Sequence, residues 1–157
     1  MKRHLTILTV LLLWTSISRG QNVSEKDSVY LMEKVDTLFG LFENPDLTSF
    51  ERISTEKIHC MICFDGPDLR DEPYMLNRIE FYEKHLNRLK QFDSFIRAKR
   101  SKDIMFVREN GQVADVTVFF TIYQKDELAP GHEVGQFGIS FKKANGEFKF
   151  AGMETVP

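Results

Sequence analysis

The stretch HCMICFDG, His59 to Gly66, holds the side chains best suited to chemistry: a Cys-x-x-Cys pair, Cys60 and Cys63, with a histidine beside it. Such a pair has three readings. A redox dithiol sits at a helix N-terminus, where backbone N–H groups stabilise the thiolate. A structural zinc site needs four ligands, yet only His59 stands close and the chain has no other cysteine. The third reading is packing, since unpaired cysteine is among the most buried residue types. Beyond the leader, the other histidines are His85 and His132, far apart in the sequence, and a lone histidine is a poor catalytic signal. No G-x-S-x-G, H-E-x-x-H or phosphate-binding glycine loop occurs. The chain is therefore expected to have no catalytic residue of a standard type, no metal site and no cofactor. The basic run RAKRSK brings Arg97, Lys99, Arg100 and Lys102 together and reads as a solvated turn or a protected edge strand.

Compartment follows from the first residues. Lys2, Arg3 and His4 precede a short apolar run, Leu5 to Trp14, and Ser18 and Gly20 form a small-residue cleavage site. The run is shorter than the roughly 20 apolar residues of a membrane span. Residues 1–20 are thus expected to be a signal peptide and residues 21–157 a single exported domain, periplasmic or secreted. Removing Lys2, Arg3 and Arg19 leaves 18 Lys and Arg against 23 Asp and Glu, a net charge of −5. That balance argues against nucleic acid as a partner, because phosphate binding needs concentrated positive charge. Trp14 leaves with the leader and all 14 phenylalanines stay, so Phe is expected to fill the core.

The N-terminal half reads as helix. Ser24 and Asp27 suggest a capped start, with Val29, Met32, Val35, Phe39 and Phe42 as the apolar stripe, and Asn44-Pro45 as the stop. Thr48 and Glu51 have capping-box spacing for a short second helix. A third helix is expected from Asp71, with Pro73 in its first turn and Met75, Ile79, Tyr82, Leu86 and Leu89 as its buried stripe. The C-terminal half reads as strand. Asn110-Gly111 and Asn145-Gly146 are type I′ hairpin signals and define a four-stranded meander. In its long strand Ala114, Val116, Val118, Phe120 and Ile122 share the face under the helices, and Asp115, Thr117, Phe119 and Tyr123 lie on the other.

Helices first, a strand, a long helix and then a meander: this order resembles the cone-shaped α+β superfamily of nuclear transport factor 2, ketosteroid isomerase and the polyketide cyclases. LFENPDLTSFERISTEKIHCMICF is similar to the opening helices and first strand, RIEFYEKHLNRL to the packing helix, and FGISFKKANGEFKFAGMETV to the closing hairpin. The resemblance implies N-terminal helices packed on a curved antiparallel sheet. It also implies a hairpin ahead of the long helix, for which only DGPDLRDE is available, so a cystatin-like α+β arrangement is the alternative fold. A cavity between helices and sheet follows from it as well, and often a homodimer through the outer sheet.

Within that fold HCMICFDG is the first strand, in which two residues three apart lie roughly 10 Å from each other, too far for a disulfide. The strand reading therefore expects Cys60 and Cys63 unbridged, whereas an oxidising compartment favours a disulfide and helical geometry would permit one. The expected cavity-lining residues are Tyr30, Cys60, Tyr82, Val116, Val118 and Phe120, and the expected dimer face is Asp115, Thr117, Phe119 and Tyr123. An isomerase or dehydratase of this fold would place an acid in the cavity, but the inward stripes are apolar. The function expected is an exported, non-catalytic ligand-binding or protein-interaction module, taking an apolar small molecule or a protein. The alternative is a small cofactor-free isomerase or dehydratase using the cone cavity.

Overall fold

The computed structural model describes residues 23–68, 71–109, 111, 113–128 and 134–156. The segment expected to be a signal peptide, Asn110 and His132 lie outside the described residues. The elements are α1 (Glu25–Glu43), α2 (Leu47–Ile53), β1 (Ser54–Cys60), β2 (Met75–Asn77), α3 (residues 78–89), α4 (Asp93–Ala98), β3 (Ile104–Arg108), β4 (Val116–Tyr123), β5 (Gly135–Ala144) and β6 (Glu147–Val156). Six strands form one sheet in the order β2-β1-β6-β5-β4-β3. Every pairing is antiparallel except β1 with β6, which run parallel. No helix among the described residues is long and apolar enough to cross a membrane.

The hairpin that the resemblance implies is present. Its second strand is Met75–Asn77, paired antiparallel with Lys57, Ile58 and His59. The expected start of the third helix at Asp71 is therefore corrected: α3 is capped by Asn77, whose side chain accepts from the Ile79 amide at 2.8 Å. Tyr74 has φ 60°, outside the helical range, and separates the two regions. Met75 fits a helical stripe and a strand equally well, so spacing alone does not separate them. With β1–β2 ahead of α3 and a four-stranded meander behind it, the chain has the cone-type α+β arrangement rather than the cystatin-like one.

Other local expectations hold or shift for visible reasons. Ser24 Oγ accepts from the Asp27 amide at 3.1 Å, as the capping signal suggests. The second helix is capped by Asp46, through the Ser49 amide at 2.9 Å, not by Thr48. In α1 the buried stripe is Leu31, Val35, Leu38, Leu41 and Phe42, and Val29 is 59% exposed. Both stripes obey helical spacing and share Val35 and Phe42; the helix is rotated so that the leucines enter the core. Asn145 and Gly146 adopt φ 52° and 83° in a two-residue turn between Ala144 and Glu147. The β3–β4 connection departs from the expected two-residue turn. Arg108 faces Val116, so the connection spans residues 109–115, and Gly111 has no left-handed φ. Asp115 anchors this segment to β5: its amide donates to Phe141 O at 2.9 Å and its carboxylate accepts from the Lys143 amide at 2.7 Å.

The expectation of unbridged cysteines is overturned: Cys60 and Cys63 form a disulfide with Cα atoms 5.4 Å apart. The strand ends at Cys60, and Met61–Cys63 form a 3₁₀ turn. That turn rises about 2.0 Å per residue instead of about 3.3 Å, which brings the two Cβ vectors within bonding range. Both residues are buried.

Phenylalanines hold helices and sheet together. Phe42 stacks on Phe95 at 4.7 Å, Phe50 on Phe81 at 5.8 Å, and Phe81 meets Phe150 of β6 at 5.6 Å. Phe95 in turn reaches Phe137 of β5 at 6.1 Å. Rings in such offset and edge-on pairs contribute beyond their buried area.

Candidate functional site

On the helix side of the sheet the residues expected to line a cavity are in the packed core. Cys60, Val116, Val118 and Phe120 are buried there, and Tyr82 packs on Phe50 with ring centres 5.6 Å apart. Tyr30 sits at the rim, 6.2 Å from Phe148, with the Lys34 ammonium 4.9 Å above its ring. Among the described residues the buried polar side chains are Ser54, Thr117 and Ser140, none of them an acid. Ser54 is satisfied locally, its hydroxyl donating to Phe50 O at 2.6 Å.

The opposite face of the sheet is indented. Two adjoining clefts of about 550 and 200 Å³ open there and share His59 and Val113. Strand alternation supplies the floor: Thr117 from β4, Ser140 from β5 and Glu154 from β6 lie on the solvent side of their strands. Thr117, Phe119 and Glu154 converge over Gly138, where an added Cβ would stand 3.1, 2.8 and 3.2 Å from their side chains. Glu109, Gly111, Val113 and Ala114 of the β3–β4 connection line the wall. Lys142 fastens it, its ammonium 3.0 Å from Asp115 and 3.3 Å from Gly111 O. The larger cleft extends past His59 to Met75, Pro73, Ala151 and the Lys57–Glu72 ion pair.

The smaller cleft is electrostatically unbalanced. Burial pushes the Glu154 carboxyl up from its ordinary value, and the nearby negative charge of Glu109 adds to the rise. Glu154 has no hydrogen bond or ion pair among the described residues. His59 is held below the ordinary imidazole value by burial, and its ring meets Tyr74 edge-on at 6.1 Å. Thr117 and Ser140, only 1% and 7% exposed, bond each other through their hydroxyls at 3.0 Å. The cations at hand are committed elsewhere, Lys142 to Asp115 and Lys57 to Glu72.

The four residues expected on a dimer face have separate surroundings. Thr117 and Phe119 belong to the floor just described. Asp115 lies on the same side, but for this carboxylate the Lys143 amide and Lys142 ammonium outweigh burial and pull the pKa down. Tyr123 follows a register shift in β4, and its hydroxyl donates to Asp93 of α4 at 2.7 Å while Arg97 covers its ring at 4.4 Å. Arg97 itself bridges Asp93 and Glu127, and Lys99 pairs with Glu43, so part of the basic run ties α4 to its neighbours. His85 lies in a π-helical turn of α3, Phe81–His85, with its buried Nδ1 unpartnered among the described residues. Burial first, then Arg88, lowers its pKa.

Sequence reasoning missed Glu154, Ser140, Glu109 and the cleft role of His59. One signal was available: single glycines inside apolar strands, Gly138 and Gly152, mark close approach of other groups. Among the described residues no three His, Cys, Asp or Glu side chains gather as a metal site.

No family model matches the chain, and no curated protein matches it either. Its backbone is similar to a solved structure titled Rd1NTF2_05, a designed NTF2-like chain. The two share 16% identity over 85% of this chain and 100% of that one, with a TM-score of 0.43.

Proposed function

We propose that this chain is an exported binding module whose ligand site lies on the outer face of the sheet, in the paired clefts at His59, and not inside the cone. One observation carries the reading. The helix side is filled by interlocked phenylalanines with no buried acid among the described residues, whereas the unpartnered polar groups Glu154 and His59 face the outer clefts. Ligand sites combine a concave, largely apolar lining with a few placed polar groups, and Met75, Pro73, Val113 and Ala151 supply the apolar part. Cone-cavity isomerisation or dehydration needs an acid tuned by burial inside the cavity, and no buried acid is found on that side among the described residues. Export is supported by the leader-like N-terminus and by the Cys60–Cys63 disulfide, a bond that persists in oxidising compartments.

A library of small apolar fragments titrated into the isotope-labelled chain tests the proposal by amide NMR. Saturable shifts should cluster on Gly138, Ser140, Ala151 and Gly152. Shifts centred on Phe42, Phe81 and Phe150 would return the ligand to the cone interior and defeat the reading.

A further inference from the structure

We infer that the Asn145-Gly146 turn is a site of self-modification, at which the Asn145 carboxamide is lost as ammonia and the main chain is rerouted through the side chain. The Gly146 backbone nitrogen attacks Asn145 Cγ, its proton departs with the carboxamide nitrogen as ammonia, and a cyclic succinimide closes. Water then opens that ring at either carbonyl, leaving an aspartyl or an isoaspartyl residue. Water is the only co-reactant. Asn145 and Gly146 are both exposed, and the Asn145 carboxamide makes no hydrogen bond among the described residues. The ladder ends at the Ala144–Glu147 pair, so the Gly146 N–H bonds no strand partner. Gly146 has no Cβ to shield its nitrogen, and no group beyond its chain neighbours lies within 4 Å of the place one would take. Asparagine is a thermolabile residue in general, but the other described asparagines lack this setting. Asn44 precedes Pro45, which has no N–H to attack with. Asn77 and Asn87 precede arginines, and the Asn77 side chain is held by the Ile79 amide at 2.8 Å.

The product reaches beyond the turn. An isoaspartyl residue adds a methylene to the main chain and a negative charge, inside a two-residue turn whose geometry sets the register of β5 on β6. The first pairs of the ladder, Ala144 with Glu147 and Lys143 with Phe148, take up the mismatch. Lys143 and its neighbour also hold the β3–β4 connection. The Lys143 amide donates to the Asp115 carboxylate at 2.7 Å, and the Lys142 ammonium reaches the same carboxylate at 3.0 Å and Gly111 O at 3.3 Å. Modification of the hairpin therefore loosens the segment that lines the smaller outer cleft, whatever that cleft binds.

The full chain, held warm at mildly alkaline pH, is sampled over time, digested with trypsin and mapped by mass spectrometry on the peptide Ala144–Lys149. That peptide should convert from amide to acid, with isoaspartate identified by enzymatic methylation, while the peptides holding Asn44, Asn77 and Asn87 stay unchanged. In the aged chain the NMR amide signals of Asp115, Lys142 and Lys143 should shift. Asn145→Gly keeps a preferred pair for this turn, and after the same treatment it should show neither the acid in this peptide nor the shifts. An Asn145 that stays intact in the folded chain, over a time that converts the synthetic peptide Ala144–Lys149, overturns the inference. Conversion that leaves the Asp115 and Lys143 amides in place, or shifts that persist in aged Asn145→Gly, overturns the link to the cleft wall.

Discussion

Breaking the Cys60–Cys63 bond should cost about 2 kcal/mol, and the closed loop shows why the figure is small. The bridge joins residues three apart in sequence, so it closes a loop of four. The chain-entropy relation gives roughly 6 cal/mol/K for such a loop, or about 1.9 kcal/mol at 25 °C. A loop this short hardly restricts the unfolded chain as a whole, so the urea dependence of unfolding should not change slope. The assay is equilibrium unfolding with and without reductant, alongside Cys60→Ala/Cys63→Ala. The double variant should lose somewhat more, because both residues are buried and truncation leaves space behind. Burial should also make reduction of the native protein slow, as thiol exchange needs access to sulfur. A loss of 4 kcal/mol or more would mean that the bond holds more than one 3₁₀ turn, and alkylation of both thiols without reductant would disprove the bond.

Glu154→Gln should stabilise the domain at neutral pH. Its folded pKa lies above the unfolded value of about 4.3, so the folded state holds the proton more tightly and stability falls as pH rises from there through the folded pKa. The gain from the variant should therefore vanish below about pH 4, and a gain that persists there would contradict the assignment. His59 and His85 act in the opposite sense: both are depressed, so their contribution is lost as pH falls below about 6.5, and thermal unfolding of His85→Phe should show a weaker acid dependence than the parent. Gly152→Ala should prevent stable folding or lower the denaturation midpoint severely, since the new Cβ would stand 2.4 Å from His59 O across the β1–β6 pairing; a midpoint near that of the parent would refute this register. Gly146→Val should cost about 1–2 kcal/mol through its positive φ alone, as no neighbour lies within 4 Å of the added Cβ; urea unfolding measures it, and an unchanged midpoint would count against the turn.

Periodicity made much of this architecture legible. Alternation in VTVFFTIY placed Val116, Val118 and Phe120 under the helices, and Asn145-Gly146 located the final hairpin to the residue. Where the sequence misled, two structures shared one pattern. Met75 satisfies a helical stripe and a three-residue strand alike, and Leu31/Leu38 competes with Met32/Phe39 on adjacent faces of α1. The cysteine pair was misread because the end of a strand leaves little local trace: Ile62 has strand propensity, yet β1 loses its β2 partner beyond His59 and the chain tightens into a turn. The outer cleft was hidden for a different reason. It depends on residues of the β3–β4 connection lining the wall and on three strands delivering Thr117, Ser140 and Glu154 to one floor. Nothing local to Glu154 announces an unpartnered carboxylate, since partners are a property of the assembled sheet.

The proposal that this domain binds on the outer face of its sheet is tested most directly by soaking its crystals with small apolar fragments and determining where they lodge. Density is expected in the cleft bounded by His59, Val113 and Glu154. Density between α1, α3 and the sheet, among Phe42, Phe81 and Phe150, would contradict it.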